Sequence, residues 1–415
     1  MTTLKLGVLT LSLLLATPVL AGAAEPDVWI TIGSDALVPA RASFQGQGLE
    51  LPSVVREKDG VAMLRVPASQ VEKLAEVMHS KLNRCAGFIA HDSEAQALAA
   101  VEAGATPRVA PALVSYTLDN AATVNALLPQ VAESSLRSTI TSLSTSWTSR
   151  RYNQQGGLDA ANWLKSRWTT LAAGRADISV AFFTHPASTS PQPSVILTIQ
   201  GTSLPSEVVV LGAHLDSINV SGSNLSAPGA DDDASGVATL TEVIRVAVAK
   251  GYRPARTVQF IAYAAEEIGL KGSAAIAAQY KSSGKNVVGV LQLDMTNYRG
   301  SSYDIVLVSD YTTAAQNTFL TNLIKQYMPG VTSTSTRCGY ACSDHASWYN
   351  QGYASSIPFE ALMGQDNPYI HSVNDTLTQT AGSAQNSVKF AQLAAAYVAE
   401  LAKGTASTAL DTARP

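Results

Sequence analysis

Five short stretches hold residues able to do chemistry. In Pro228-Gly229-Ala230-Asp231-Asp232-Asp233-Ala234-Ser235-Gly236, three consecutive carboxylates lie between an apolar, strand-like run and an amphipathic helix. Adjacent like charges repel, and burying an unpaired carboxylate is costly, so the cluster must be solvated, used as a cap or neutralised by a cation. Elsewhere, His214 and Asp216 follow one apolar run, Glu266 and Glu267 a second, and Asp294 a third, while His371 sits in a late loop. Each has a plain alternative: a core histidine, first-turn acids favouring a helix dipole, a turn cap, a surface histidine. Taken together, His214, Asp232, Glu267, Asp294 and His371 supply two imidazoles and three carboxylates, the donor mix of a two-zinc site with one bridging aspartate. His345, early in a helix over 344–350, reads as a packing or solvent residue; His79, His91 and His185 fall in early segments.

The elements that must position these residues follow from periodicity. Strands are expected at 178–184, 194–200, 208–212, 258–264, 287–293 and 305–308, several of them apolar throughout, as strands buried on both faces should be. Helices are expected at 121–131, 133–150, 158–173, 234–250, 273–281, 313–327 and 387–402. This alternation predicts an α/β fold, a mainly parallel mixed sheet with helices on both faces. Ligands of such sheets gather beyond the carboxyl ends of the strands, where the donors above fall.

The first hundred residues read differently. Lys5, the apolar run Leu6–Leu15 and the small residues near Ala21 and Ala23 form a signal peptide over 1–23, too short for a membrane span. Residues 24–108 read as a small α+β unit with strands at 28–32 and 61–66 and a helix at 69–82. An Ala-, Pro- and Val-rich linker over 103–114 follows it. A compact unit and a linker in an exported chain suggest a propeptide, inhibitory or folding-assisting, cut between about Ala105 and Tyr116, ahead of a catalytic domain at 109–403 and a tail at 404–415. The alternative is a permanent accessory domain.

Composition narrows the partners. The 415 residues carry a net charge of −4 and 14% charged residues, with no long basic run, which argues against nucleic acid or an anionic membrane. Of three cysteines, Cys338 and Cys342 form a lone C-x-x-x-C pair without the further ligands of a structural zinc site. In an oxidising compartment a local disulfide is favoured over two buried thiols, and so small a loop would serve to fix local geometry. Cys85 has no evident role.

The motifs Ala213-His214-Leu215-Asp216-Ser217, Pro228 to Gly236, Tyr263-Ala264-Ala265-Glu266-Glu267-Ile268-Gly269-Leu270, Leu293-Asp294-Met295-Thr296-Asn297-Tyr298 and Cys338-Gly339-Tyr340-Ala341-Cys342-Ser343-Asp344-His345 resemble those of the secreted bacterial leucyl aminopeptidases. These are co-catalytic dizinc exopeptidases of metallopeptidase family twenty-eight, with a zinc-exopeptidase (phosphorylase/hydrolase-like) fold. The resemblance runs in order over about residues 117–402. It implies two Zn²⁺ per chain, one on His214 and Asp294, the other on Glu267 and His371, with Asp232 and a water or hydroxide bridging. It further implies Glu266 as general base, Asp216 as a carboxylate orienting His214, and a pocket of Met295, Val308, Tyr340, Ile357, Phe359 and Ile370. Tyr340, held by the Cys338–Cys342 bridge, would donate to the developing oxyanion. The sequence departs from the family around Leu362, Met363 and Asp366, where relatives carry aromatic residues, so apolar preference is firmer than leucine preference.

The expectation is thus a secreted monomeric enzyme, with the periplasm as one route of export, that removes apolar N-terminal residues from peptides with a free N-terminus. A one-zinc glutaminyl cyclase, a non-catalytic binding module and a calcium-stabilised domain are the alternatives. The intact five-residue donor set opposes the first two, and two histidine donors oppose calcium.

Overall fold

The computed structural model describes residues 25–407 apart from 83, 105–114 and 188. The signal peptide, nearly all of the linker and residues 408–415 lie outside the described residues. In the N-terminal unit, β1 (Asp27–Gly33), α1 (Leu37–Gly46), β2 (Val54–Lys58), β3 (Val61–Pro67), α2 (Ala68–Leu82), β4 (Phe88–His91) and α3 (Glu94–Ala103) build an antiparallel sheet of order β2-β3-β1-β4. Alternation in β1 buries Ile30 and Ile32, and the helical spacing of α2 buries Val71, Leu74 and Met78 against them. This unit shares its packing with the rest of the chain. Its core takes in Tyr152, Ala265 and Ile268 from the rest of the chain, and Ala86 and Ile89 pack with Leu270, Tyr311 and Tyr349.

Helices α4 (Ala121–Leu127), α5 (Glu133–Thr145) and α6 (Gln155–Leu171) lead into the central sheet. Its strands are β5 (Ile178–Phe183), β6 (Ser194–Ile199), β7 (Leu204–His214), β8 (Arg256–Tyr263) and β9 (Asn286–Gln292), with α7 (Ala234–Ala249) after β7 and α8 (Lys271–Ser282) after β8. Beyond them come β10 (Ile305–Val308), α9 (Ala314–Tyr327), β11 (Ser333–Thr336), α10 (His345–Asn350), β12 (Ser355–Ser356), β13 (Pro358–Phe359) and α11 (Gln385–Ala402). The six-stranded sheet has order β12-β9-β7-β8-β6-β5. Alternate residues of β7 face opposite layers. Val209, Leu211 and Ala213 pack with α7 and α11, while Val208 and Val210 meet Ile276, Tyr280 and Trp348 of α8 and α10.

The sheet is mixed: β12, β9, β7 and β8 run parallel, but β6 pairs antiparallel with β8 and β5 with β6. With the N-terminal sheet included, antiparallel pairings outnumber parallel ones, which corrects the expectation of a mainly parallel sheet. The reason is local: β5 joins β6 without a crossover helix, so the chain must return antiparallel. Helix α5 also stops at Thr145, short of the expected Arg150. The Arg150 guanidinium is buried, donating to the carbonyls of Leu215 (2.9 Å) and Gly229 (2.9 Å) under the aspartate-rich loop. Residues 404–407, expected to belong to an irregular tail, continue in register: Thr405 bridges Arg253 antiparallel.

Helix α7 starts hard against the end of β9. A Cβ on Gly236 would lie 2.0 Å from the Leu293 carbonyl oxygen and 2.5 Å from Asp233 Oδ1. Gly236→Ala is expected to cost roughly 1–3 kcal/mol by overpacking, read as a lower urea midpoint; an unchanged midpoint would refute this close seating of α7.

Candidate metal centre

The carboxyl ends of β7, β8 and β9 carry the donors because each strand ends where its apolar run stops. His214 is the last residue of β7; Glu266 and Glu267 follow β8 and Asp294 follows β9. Asp232 comes from the loop before α7, and His371 from the loop after β13. All six are buried. Asp232 lies between the histidines, with Oδ1 2.9 Å from His214 Nε2 and Oδ2 2.9 Å from His371 Nε2. Asp294 Oδ1 is 3.5 Å from His214 Nε2, and Glu267 Oε2 is 3.2 Å from His371 Nε2.

These residues fit two cations. Donors of one tetrahedral zinc, at bond lengths of about 2.0–2.2 Å, stand roughly 3.3 Å apart, and the four separations above scatter about that figure. Both carboxylate oxygens of Glu266, Glu267 Oε1 and Asp294 Oδ1 are buried with no hydrogen-bond partner among the described residues. So many orphaned polar atoms would be costly unless they answered to ions.

Electrostatics point the same way. Burial, then neighbouring carboxylates, push Glu266 well above the usual range; burial and Asp232 carry Glu267 up to about 7 despite His371. Burial opposes protonation of His371, yet Glu267 and Asp232 raise it to about 10. His214 is likewise raised against its burial, by Asp294 and Glu266. Without metal, the cluster holds protons where cations would otherwise sit.

The remaining acids hold the frame. Asp233 caps α7 by accepting from the Gly236 amide (2.8 Å), and also accepts from the amides of His214 (3.0 Å) and Met295 (3.2 Å). Asp231 accepts from Asn297 N (3.0 Å) and Asn367 Nδ2 (3.1 Å). The imidazole of His214 meets the Asp216 backbone carbonyl (Nδ1 3.1 Å) more closely than the Asp216 carboxylate (3.7 Å). That carboxylate accepts instead from the amides of Glu266 (3.0 Å) and Glu267 (3.3 Å), fixing the turn that carries the two glutamates.

Sequence reasoning missed several participants. Asp375 receives the Asp231 and Asp232 amides (3.0 and 3.1 Å), and Ser343 donates to Asp294 Oδ2 (2.6 Å). Neither has a spacing signature; the acidic loop's need for acceptors was the only clue. His79 of α2 reaches the centre, with Nε2 2.9 Å from the Glu267 carbonyl and its ring 4.2 Å from that of His371. Met295, Val308, Tyr340, Ile357, Phe359 and Ile370 are brought into one apolar cluster beside Asp294, joined by Cys342 and Met363. Cys338 and Cys342 are bonded, and Asp310 accepts from the Cys338 and Gly339 amides (3.0 and 2.6 Å). His345 is buried and apart from the donors.

Residues 194–398 match the sequence profile of Peptidase family M28. Leucine aminopeptidase 1 of Arthroderma otae is 37% identical over 320 residues, 73% of this chain and 83% of that protein. Among solved structures, the LapA aminopeptidase of Legionella pneumophila is 29% identical with a TM-score of 0.75, covering 91% of this chain and 99% of its own. LapB of the same organism gives 27%, a TM-score of 0.76, 91% and 100%. A 91% share is too large for residues 115–407 alone, so both likenesses extend into the N-terminal unit.

For the metal-free chain the shifts set a pH dependence. Glu267 moves from 4.5 to about 7, Asp375 from 3.8 to about 8, chiefly by burial, and His371 from 6.5 to about 10. Each folded value exceeds the unfolded one, so its stabilisation is full below the unfolded value and fades as pH rises through the folded one. The buried His79, lowered by burial to about 3, acts in the opposite sense only below 6.5. The chelated chain should therefore lose thermal stability as pH rises above 6.5 towards about 8, and added zinc, which binds the deprotonated donors, should restore it. Melting temperatures at stepped pH test this; a rise in that window for the chelated chain would contradict it.

Proposed function

The chain belongs to peptidase family M28 and is a zinc-dependent metallo-aminopeptidase, related to bacterial and fungal leucine aminopeptidases alike, and from that premise we propose that it removes leucine-like N-terminal residues at a dizinc centre. One zinc would be held by His214 and Asp294, the other by Glu267 and His371, with Asp232 shared. The observation that carries this reading is the placement of both Asp232 oxygens, each 2.9 Å from a different imidazole. The names of the fungal relatives support the leucine preference, as does the apolar cluster around Met295 and Phe359.

When bound, the two ions would polarise the scissile carbonyl and acidify the attacking water. The protein does the rest. Glu266, buried and without a hydrogen-bond partner, is free to take that water's proton and deliver it to the leaving amine. A glutamate bound to zinc would lose basicity, so the neighbours would have separate tasks, with Glu267, 3.2 Å from His371, as the donor and Glu266 as the base. Met295, Val308, Ile357, Phe359 and Ile370 would enclose the substrate's first side chain, and Tyr340 would donate to the developing oxyanion. Attraction of the free α-amine to the metal-site carboxylates would confine cleavage to the first residue.

The reading extends to processing. The signal peptide over 1–23 would direct secretion, and the unit over 24–108 would act as a propeptide of a monomeric enzyme. No helix among the described residues is long and apolar enough to cross a membrane.

Two outcomes follow. Glu266→Gln should lower kcat for leucine amide by about 10²–10⁴ while two zinc ions per chain stay bound; near-wild-type turnover with both metals retained would remove Glu266 as base. N-terminal sequencing of the secreted active protein should find a start between about 105 and 116, and a start near Glu25 would end the propeptide reading.

A further inference from the structure

The N-terminal unit does more than lie beside the metal centre. The segment between α2 and β4 enters it, turning on Ala86 (φ 45°) and Gly87 (φ 80°), and carries Cys85 to the donors. Cys85 Sγ is 3.9 Å from Asp232 Oδ2, the oxygen that faces His371, and 4.0 Å from Met295 Sδ. Sγ, an Asp232 oxygen and a His371 nitrogen all lie within 4.8 Å of one another. A sulfur and an oxygen on one tetrahedral zinc stand roughly 3.5 Å apart, close to the spacing found.

The segment is held from three sides. On one, His79 is seated on the Glu267 carbonyl and against the His371 ring. On another, the Arg84 guanidinium lies 4.5 Å over the Tyr340 ring and pairs with Asp35. Beyond the turn, Ala90 N donates to Gly269 O (2.9 Å), tying β4 to the turn that presents the two glutamates. The consequence for the apolar pocket is direct: the cavity left among Cys85, Met295, Tyr340, Ile357 and Phe359 is about 20 Å³, room for about one water molecule. As it stands the cavity is too small for a leucine side chain, and Cys85 is one of its walls.

Catalytic zinc sites keep one position free of protein donors, whereas closed four-donor sites are structural. On the reading above, Glu267, His371 and shared Asp232 supply three donors to the second zinc. Resting on that reading, we propose that Cys85 is the fourth, so that the uncleaved chain closes its own catalytic metal site with a thiolate. Binding forms a sulfur–zinc bond and releases the thiol proton to solvent; no electron is transferred. Removal of the N-terminal unit then frees the coordination position and the side-chain pocket in one step. A propeptide that merely covered the site would not need a sulfur grouped with an Asp232 oxygen and a His371 nitrogen.

The test uses the uncleaved chain, metal-free or loaded with zinc or cobalt, with metal content measured. Cobalt-loaded chain should show a sulfur-to-cobalt charge-transfer band, lost in Cys85→Ala with both cobalt ions retained. Iodoacetamide should alkylate Cys85 of the zinc-loaded wild type at least about tenfold more slowly than that of the metal-free chain, the protection given by about 1.4 kcal/mol of sulfur–metal attraction. If the variant does not fold, the wild-type band and alkylation ratio decide. Two bound metals with no band and equal alkylation would overturn the proposal and leave the dizinc reading standing; failure to bind metal would overturn both.

Discussion

One buried carboxylate shared by two imidazoles is the constraint that the rest of this molecule answers. Asp232 cannot serve both His214 and His371 unless the loop carrying it is held rigidly, and that loop also bears two further aspartates. Like charges so close in a dry site would drive the loop apart or into water. The protein meets this by spending the neighbours on backbone amides: Asp233 takes three, Asp231 takes one with an asparagine amide, and Asp375 takes two from the loop itself. Arg150 adds a buried positive charge beneath, bound to carbonyls of the same loop. What remains unanswered is the charge at the centre, and there protons or metal ions are the only available partners.

The N-terminal unit belongs to the same economy of space. Its helix α2 and strand β4 share a core with Ala265 and Ile268, which flank Glu266 and Glu267, and it brings His79 and Cys85 to the candidate donors. A unit built only for folding would be expected to pack on apolar surface away from the chemistry. This one reaches the candidate donors, with contacts that fall on His371, Glu267 and Asp232.

Much of the centre was legible in the sequence because strand ends are legible. The apolar runs of β7, β8 and β9 stop abruptly at His214, before Glu266 and before Asp294, and topology alone brings those ends together. The use of the aspartate cluster as a cap, one of the roles open to it in the sequence, falls to Asp233. Strand direction was not legible: β5 and β6 alternate in the same way whether parallel or antiparallel, and only the missing crossover helix gave them away. His79 stayed hidden because α2 is a regular amphipathic helix whose buried face needs no histidine to explain it. Cys85 was hidden for a deeper reason: a contact between residues 85 and 232 leaves no periodic trace in either segment.

The backbone joins the metal donors to the side-chain pocket more tightly than a list of contacts conveys. Ala265 (φ 57°), Met295 (φ 57°) and His371 (φ 56°) all adopt the left-handed conformation, which is unfavourable for residues with a Cβ and is kept only where surroundings enforce it. Ala265 precedes Glu266, Met295 follows Asp294, and His371 is itself a donor. Two of the three are also pocket positions or their neighbours, since Met295 lines the apolar cluster and Ile370 precedes His371. A change of bulk at Met295 or Ile370 therefore acts on a backbone already held at an unfavourable angle, one bond from a metal donor. The apolar cluster and the candidate donors are set by the same turns, so the cluster cannot be reshaped freely without moving Asp294 or His371.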